Sequence, residues 1–564
     1  MHCLKSCLFG SFAHFGVAFV AALVSLILIF ANGCGSGFKS LVKGENNQDP
    51  SVGILEGRKI SCEDREAEVE TYQMATLSPY QYLYSLEDLM GRPLTSTESN
   101  MVLQAAAISP LSTSENGFDN HTRINLSPDF ADSKIAIGEV YAQILKSQVI
   151  SGCNDQNCVS KKLGDFLEKV MPKIYPISSV SELKSKLLLI FNSSYSLDAD
   201  LDRAVLDSLT ALFSSPSFHI KSLGSDSGNT MSATEVGRKL SYFLLSSLPD
   251  DLIVKDMKSG EILKAEKRAQ HVTRILSEAS SLRRFSFQFL SQFLGFNGSY
   301  HTSSQNMFNN MNEKDIYDSE ILFFEYVLKN NLPIGHLIES GVIFANKAIA
   351  NQFDLAGGQG TGFLKYDSDI YTGLLSHPVM FMKTFKQDEK KLYVSRGARV
   401  QERFICQVLP KLSQATIEEL AKVEQELKDR GVTSVRDSIE FHRSNPACYS
   451  CHQHIDGFGI ALEKFDGFGH FRSEYPDGAV VDASGSLLKK NYNDHSEMFH
   501  ILKESYEYKS CFVKQMNALA SQRDFYKNSD CLVVDVISKA GENMPLRNLI
   551  EGIVSSVQFV RKRQ

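Results

Sequence analysis

The chain of 564 residues contains no tryptophan and no dominant sign of charge: 59 Lys and Arg stand against 66 Asp and Glu, a net −7 spread along the sequence. That balance gives no support to nucleic-acid binding or to a polybasic hold on a membrane. Strict apolar–polar alternation is scarce, and no repeat of solenoid period is visible, which leaves little room for a large sheet or a repeat array. No Ser-His-Asp or H-E-x-x-H arrangement stands out. With 43% hydrophobic and 22% charged residues the chain is folded globular protein, neither disordered, collagen-like nor a many-span membrane protein. Its length predicts about three to four domains, each able to bury a core. Eleven cysteines are too few for a small disulfide scaffold and too many to ignore.

Residues 1–34 read as a targeting segment. Lys5 gives a weakly basic start, and Phe15 to Phe30 is an apolar run broken by Gly16 and Ser25. That run is short for a spanning helix, which needs about 20 apolar residues. Ala31, Asn32, Gly33 and Cys34 follow and resemble a bacterial lipoprotein cleavage box, with Ala31 where leucine is usual. The expectation is lipidation at Cys34; an ordinary secretory signal or an uncleaved anchor are the alternatives. All three export the rest of the chain, where disulfides persist and covalent haem is received. Gly35 after the cysteine, rather than aspartate, points to the outer membrane.

Residues 35–70 are polar and read as a tether. Helical patterns dominate afterwards. Ser78 and Pro79 open a run with Tyr82, Leu83, Leu86, Leu89 and Met90 on one side, and Gly91 closes it. Ser232 and Glu235 make a capping-box pattern before Val236, Leu240, Phe243 and Leu244. Leu282, Phe285, Phe289 and Phe293 form another stripe, Ile321 to Leu328 a further helix, and Gly478 to Leu487 the best strand or hairpin candidate. The fold class is mainly α with minor β. The modules are helical at 71–155, 156–225 and 226–365, with a separate module at 366–494 around Cys448 to His452, and a helical one again at 495–564.

The most informative motif is Cys448-Tyr-Ser-Cys451-His452, the C-x-x-C-H sequence that attaches c-type haem. Two thiols three positions apart can add to two vinyl groups on one porphyrin edge, and the adjacent histidine then ligates the iron. From the Cys and His content, roughly 0.005 chance occurrences are expected in a chain of this length. A disulfide or redox dithiol, and a zinc site with His452 and His454, are the competing readings. Zinc would want a second knuckle, and none appears. For the sixth iron position the candidates are Met544, which precedes Pro545, and Met498, ahead of Met516, Met380, Met382, His495 and His500.

Gly357 to Gly362 fits neither a dinucleotide fingerprint nor a P-loop and reads as a flexible loop. The N-x-S/T sites at Asn120, Asn125, Asn192 and Asn297 carry little weight. After Cys3 and Cys7 leave with the signal, Cys34 takes lipid and Cys448 and Cys451 take haem. Cys62, Cys153, Cys158, Cys406, Cys511 and Cys531 then remain as an even set for disulfides. Cys153 and Cys158 suit a small loop, and the other pairings stay open.

On these residues the chain resembles the planctomycete-type cytochrome c-like proteins, built from consecutive domains of unknown function. The densest likeness is Asn445 to His452, Asp456-Gly-Phe-Gly459, Ala461-Leu-Glu463, Phe465-Asp466, Gly469, Arg472 and Asp482 to Gly485. Ser395-Arg-Gly397 resembles the Arg-Gly step before this module, and Leu240 to Asp251 and Phe285 to Leu294 resemble the central one. Leu77 to Gly91 resembles the first module, Leu209 to Phe218 the second and Cys511 to Phe559 the last. Where the family often has Trp, this chain has Leu245, Phe289 and Phe471; where proline commonly follows the Asp, it has Gly457. The resemblance implies haem bonds at Cys448, Cys451 and His452. Asp456, Glu463, Asp466 and Arg472 are then an ion-pair and capping set, with Arg472 the natural propionate partner. Turn chemistry is the alternative for Asp456 and Asp466.

The leading functional expectation is a lipid-anchored, periplasm-facing protein with one covalent haem c, passing single electrons to an unknown redox partner in the envelope. A haem enzyme with an open distal site, acting on peroxide, oxygen or an organic substrate, is the second. An envelope interaction protein with structural or sensory haem is the third. One C-x-x-C-H argues against a two-haem peroxidase.

Overall fold

The computed structural model describes residues 52–55, 58–61, 76–107, 128–221, 230–295, 312–358, 360–384, 392–407, 409, 414–431, 434–521, 530–541 and 543–561. The signal segment and Cys34 lie outside these residues, as does Cys62. Among the described residues there are 23 helices and three two-stranded antiparallel sheets, so the fold is mainly α. None of these helices is long and apolar enough to cross a membrane.

Residues 1–61 form one unit, whose described part is the hairpin of β1 (Val52–Leu55) and β2 (Arg58–Ser61), inside the stretch expected to be a tether. Residues 62–564 form the second unit. It opens with α1 (Pro79–Met90), α2 (Ser96–Ala107), α3 (Pro128–Ile150), α4 (Gln156–Ile174), α5 (Val180–Asp198), α6 (Leu201–Phe213) and the short α7 (Pro216–His219). The start of α1 follows from its sequence: the Ser78 side chain accepts from Gln81 N–H, Gln81 reaches back to Ser78 N–H, and Gly91 ends the helix at φ 69°. One apolar core, including Tyr82, Leu86, Tyr141, Leu163, Phe191 and Phe213, runs through residues 77–218 and takes in Tyr242 and Leu248.

The central part holds α8 (Ala233–Leu244), α9 (Asp251–Ser259), α10 (Ala265–Ile275), α11 (Ala279–Phe293) and α12 (Glu313–Lys329). The capping box of Ser232 and Glu235 is formed at the start of α8. β3 (Val342–Ala345), α13 (Lys347–Gln352) and β4 (Leu364–Asp367) follow, with β3 paired to β4. The glycine-rich stretch belongs to the return between α13 and β4, where a side chain at Gly358 would meet the Tyr366 ring.

Next come α14 (Pro378–Thr384), α15 (Leu392–Phe404), α16 (Gln414–Asp429), α17 (Val435–Ser444) and α18 (Pro446–Gly459). β5 (Gly485–Leu487) and β6 (Lys490–Tyr492) precede α19 (His495–Glu504), α20 (Tyr506–Ser521), α21 (Asp530–Ala540), α22 (Leu546–Val554) and α23 (Val557–Val560). The hairpin expected at 478–487 is therefore shorter and shifted. Leu488 and Lys489 make its turn at φ 49° and 64°, with no glycine to announce it.

The chain end folds back on the centre: Met231 N–H donates to Val560 O at 2.8 Å and Lys239 Nζ to Phe559 O at 2.8 Å. Phe289 packs on Phe293, Phe324 and Phe512, and Phe293 also meets Phe404. Aromatic rings thus join α11, α12, α15 and α20. Cys153 is bonded to Cys158, Cys406 to Cys511 across 105 residues, and Cys531 is disulfide-bonded as well.

Candidate functional site

The C-x-x-C-H motif occupies the first turns of α18. Pro446 opens the helix, where its missing N–H costs nothing. Cys448, Cys451 and His452 stand at helical positions i, i+3 and i+4 and so share one face. Cys448 is a free, buried thiol packed with Val423 and Leu427 of α16, and Leu420 and Phe441 press on the same cluster. Burial, then the Glu419 carboxylate, pushes this thiol above its ordinary range, so it is held as the neutral S–H. Cys451 is half-buried.

His452 is 7% exposed. Its Nδ1–H donates to Asp456 Oδ1 at 2.9 Å, one helical turn on, and Asp456 is wholly buried. Arg443, at the end of α17, donates from Nε to the second oxygen, Oδ2, at 2.8 Å. The His442 ring lies 5.0 Å from that of His452 at 24°, itself held by a 2.7 Å bond between Nδ1 and Ser438 O, and Tyr393 of α15 approaches at 6.2 Å. With Nδ1 committed, Nε2 is the nitrogen left for a metal, the tautomer a ligating histidine requires.

α15 and α18 meet backbone to backbone. A Cβ at Gly397 would collide with Ile455 O and lie 2.9 Å from its carbonyl carbon, and one at Gly459 would collide with Tyr393 O. The Arg-Gly step has its reason here. Gly397 permits the crossing, and Arg396, fully buried beside it, donates to Leu462 O at 2.8 Å and Phe465 O at 2.6 Å. Those bonds tie down the carbonyls just after α18. Gly457 serves the hairpin: Tyr492 O–H donates to Gly457 O at 2.6 Å, and a Cβ there would sit 2.5 Å from Ser486 O.

Asp456 and Asp466, alike in sequence, do different work. Asp466 is a turn residue whose Oδ1 accepts from Phe468 and His470 N–H at 2.8 and 2.9 Å. Asp456 is an ion-pair partner inside a helix. Arg472 lies on Glu463: Nη2 donates to Oε2 at 3.1 Å and Nε to the Glu463 carbonyl at 2.9 Å, with Tyr475 beneath the guanidinium.

The sixth-position candidates are spread over several elements, with His495, Met498 and His500 together on α19. Met498 is buried in α19. Met544 is buried in the turn before α22, where its carbonyl accepts from Ile334 N–H at 3.0 Å, a bond to the Leu332–Ile334 segment rather than to α18. Met516 is buried in α20, Met380 in α14, and Met382 is half-buried. His500 is exposed, 3.5 Å from Glu339. His495 differs from all of these. Its ring is buried among Phe465, Phe471 and Phe499, neither nitrogen has a hydrogen-bond partner among the described residues, and burial depresses its pKa.

A second polar cluster was invisible in the sequence, because its members are 58 residues apart. Ser319 Oγ lies 2.8 Å from His377 Nε2, and His377 Nδ1 pairs with Glu320. All three are buried, and burial raises the Glu320 carboxyl pKa. The Ser319 hydroxyl also bonds Phe344 O, so the cluster clamps α12 to β3. Among the described residues no group of three or more His, Cys, Asp and Glu side chains comes together as a metal site.

Residues 371–475, which contain the C-x-x-C-H motif, match the family PSCyt3, described as a protein of unknown function (DUF1588). Residues 231–355 match PSD4, described as a protein of unknown function (DUF1592). No curated protein and no solved structure matches the chain. Its middle and its C-x-x-C-H region therefore carry two domains of the kinds found in planctomycete cytochrome c-like proteins.

Proposed function

We propose that this chain is an exported, lipid-anchored monohaem c-type cytochrome-like protein of the planctomycete type. It would pass single electrons to or from a partner in the cell envelope. One observation carries the reading: a C-x-x-C-H motif on one helical face, with its histidine held through Nδ1 so that Nε2 remains for iron. Cys448 and Cys451 would hold the porphyrin by thioether bonds and His452 would ligate the iron. When bound, haem supplies a one-electron couple at the iron. The chain's own residues do the rest. Asp456 and Arg443 orient His452, Arg396 fixes the turn after α18, and Phe441, Val423 and Leu427 keep water from Cys448.

Met498, Met544 and His495 are the side chains offered for the sixth position. The helical modules before residue 365 would be a platform for docking or for holding the haem module. Export and lipidation at Cys34 rest on the N-terminal sequence, and a disulfide-bonded mature chain is in keeping with export.

Electron transfer predicts a low-spin, six-coordinate iron whose visible spectrum is indifferent to carbon monoxide and cyanide. Ready formation of either adduct would replace electron transfer with an enzyme that acts at an open distal site.

A further inference from the structure

We infer that Asp456 is a positioning residue that makes His452 an electron-rich proximal ligand, with Arg443 setting how much charge it gives; this rests on the haem reading above. The observation is a chain of three side chains. The imidazole Nδ1–H donates to Asp456 Oδ1 at 2.9 Å and the Arg443 guanidinium donates to Oδ2 at 2.8 Å. The carboxylate between them is 0% exposed, whereas the Arg443 side chain is 41% exposed. A buried carboxylate is costly unless both oxygens are paired, and here each oxygen has its own donor.

The acceptor could have been a backbone carbonyl or water. A carboxylate differs from a carbonyl in carrying full charge, so the N–H it accepts is more polarised and the opposite nitrogen a stronger donor. Electron density at Nε2 favours the more highly charged, oxidised metal and lowers its reduction potential. Arg443 opposes this by drawing charge to the other oxygen. His442, stacked on the His452 ring and held by Ser438 O, restricts ring rotation, so that the Asp456 bond is kept. The proximal side therefore contains a donor and its regulator, with the regulator at the surface.

The test uses the full-length holoprotein, with covalent haem verified by mass. D456N should raise the midpoint potential by at least a tenfold change in the reduction equilibrium, 59 mV for one electron. In the reduced protein it should also move the His452 Nδ1–H proton resonance upfield. Neither change in a fully haem-loaded D456N protein would overturn the inference. If D456N does not fold, R443Q decides, since its site is half-exposed. A lowered potential supports the inference, and an unchanged or raised one overturns it. A wild-type protein that carries no covalent haem would instead sink the haem reading itself, and the inference with it.

Discussion

His219 is buried at the end of α7, where Tyr82 O–H donates to its Nδ1 at 2.8 Å. Burial, with the Lys134 ammonium nearby, holds its pKa well below 6.5, so the folded protein keeps the ring neutral. The unfolded chain protonates the same ring near 6.5, binding more protons than the native state as pH falls below that value. Stability is thus present above this range and lost on acidification, by up to about 1.4 kcal/mol per pH unit for each extra proton. Urea titrations at a series of pH values from neutral to acid should show a shallower acid loss for H219Q than for the wild type; parallel losses would contradict this. Little at this scale was legible in advance. Asp456 and Asp466 are each followed by Gly-Phe-Gly, and nothing local separates a buried partner of His452 from a turn residue. The difference is made by Arg443 and His452, brought to Asp456 by the α17–α18 turn. Arg472, expected at a propionate, donates to Glu463, twelve positions before Tyr475, a pairing that nothing in its local sequence announces.

Two helical glycines give opposite expectations at the element scale. Gly397 sits where α15 crosses α18, and a Cβ there meets backbone atoms that cannot yield: the Ile455 carbonyl carbon at 2.9 Å and Gly459 N at 3.2 Å. G397A should therefore cost about 3 kcal/mol or more and reduce haem attachment. Gly164, in α4, faces only the end of a flexible lysine, Lys184 Cε at 3.7 Å. G164A should stabilise by about 0.4–1 kcal/mol through helix propensity and a stiffer unfolded chain. Denaturant midpoints check both, and a harmless G397A would refute the close crossing. Elements with their own signals were readable. The Ser78 and Ser232 capping boxes, the Gly91 stop and the α11 stripe are local patterns that tertiary contacts only reinforce. The β5–β6 hairpin was not. Its turn residues, Leu488 and Lys489, are at positive φ, the strands they join meet α18 at Gly457 through Ser486 and Tyr492, and no turn sequence marks them.

For the whole molecule, covalent and aromatic links matter more than the module boundaries drawn along the sequence. The Cys406–Cys511 bridge closes a loop that contains the entire C-x-x-C-H region and fastens it to α20. Constraining a loop of that length in the unfolded chain is worth about 4.7 kcal/mol. Phe289, Phe293, Phe404 and Phe512 join the same parts, doing without the indole N–H that a tryptophan would need to satisfy. Mainly helical character was legible because helical periodicity repeats along the chain. The single core running through residues 77–218, and the return of residues 559–560 to α8, depend on long-range contacts that no window of sequence contains. The C-x-x-C-H motif was legible for the opposite reason: its chemistry is written in five consecutive residues, and the fold adds only the partners of His452. The most direct measurement is the intact mass and absorption spectrum of the full-length chain, produced with haem-attachment machinery and compared with a C448A/C451A variant. One covalently bound haem per wild-type chain and none on the variant is the expected result; a wild-type chain without bound haem would refute haem attachment at Cys448 and Cys451.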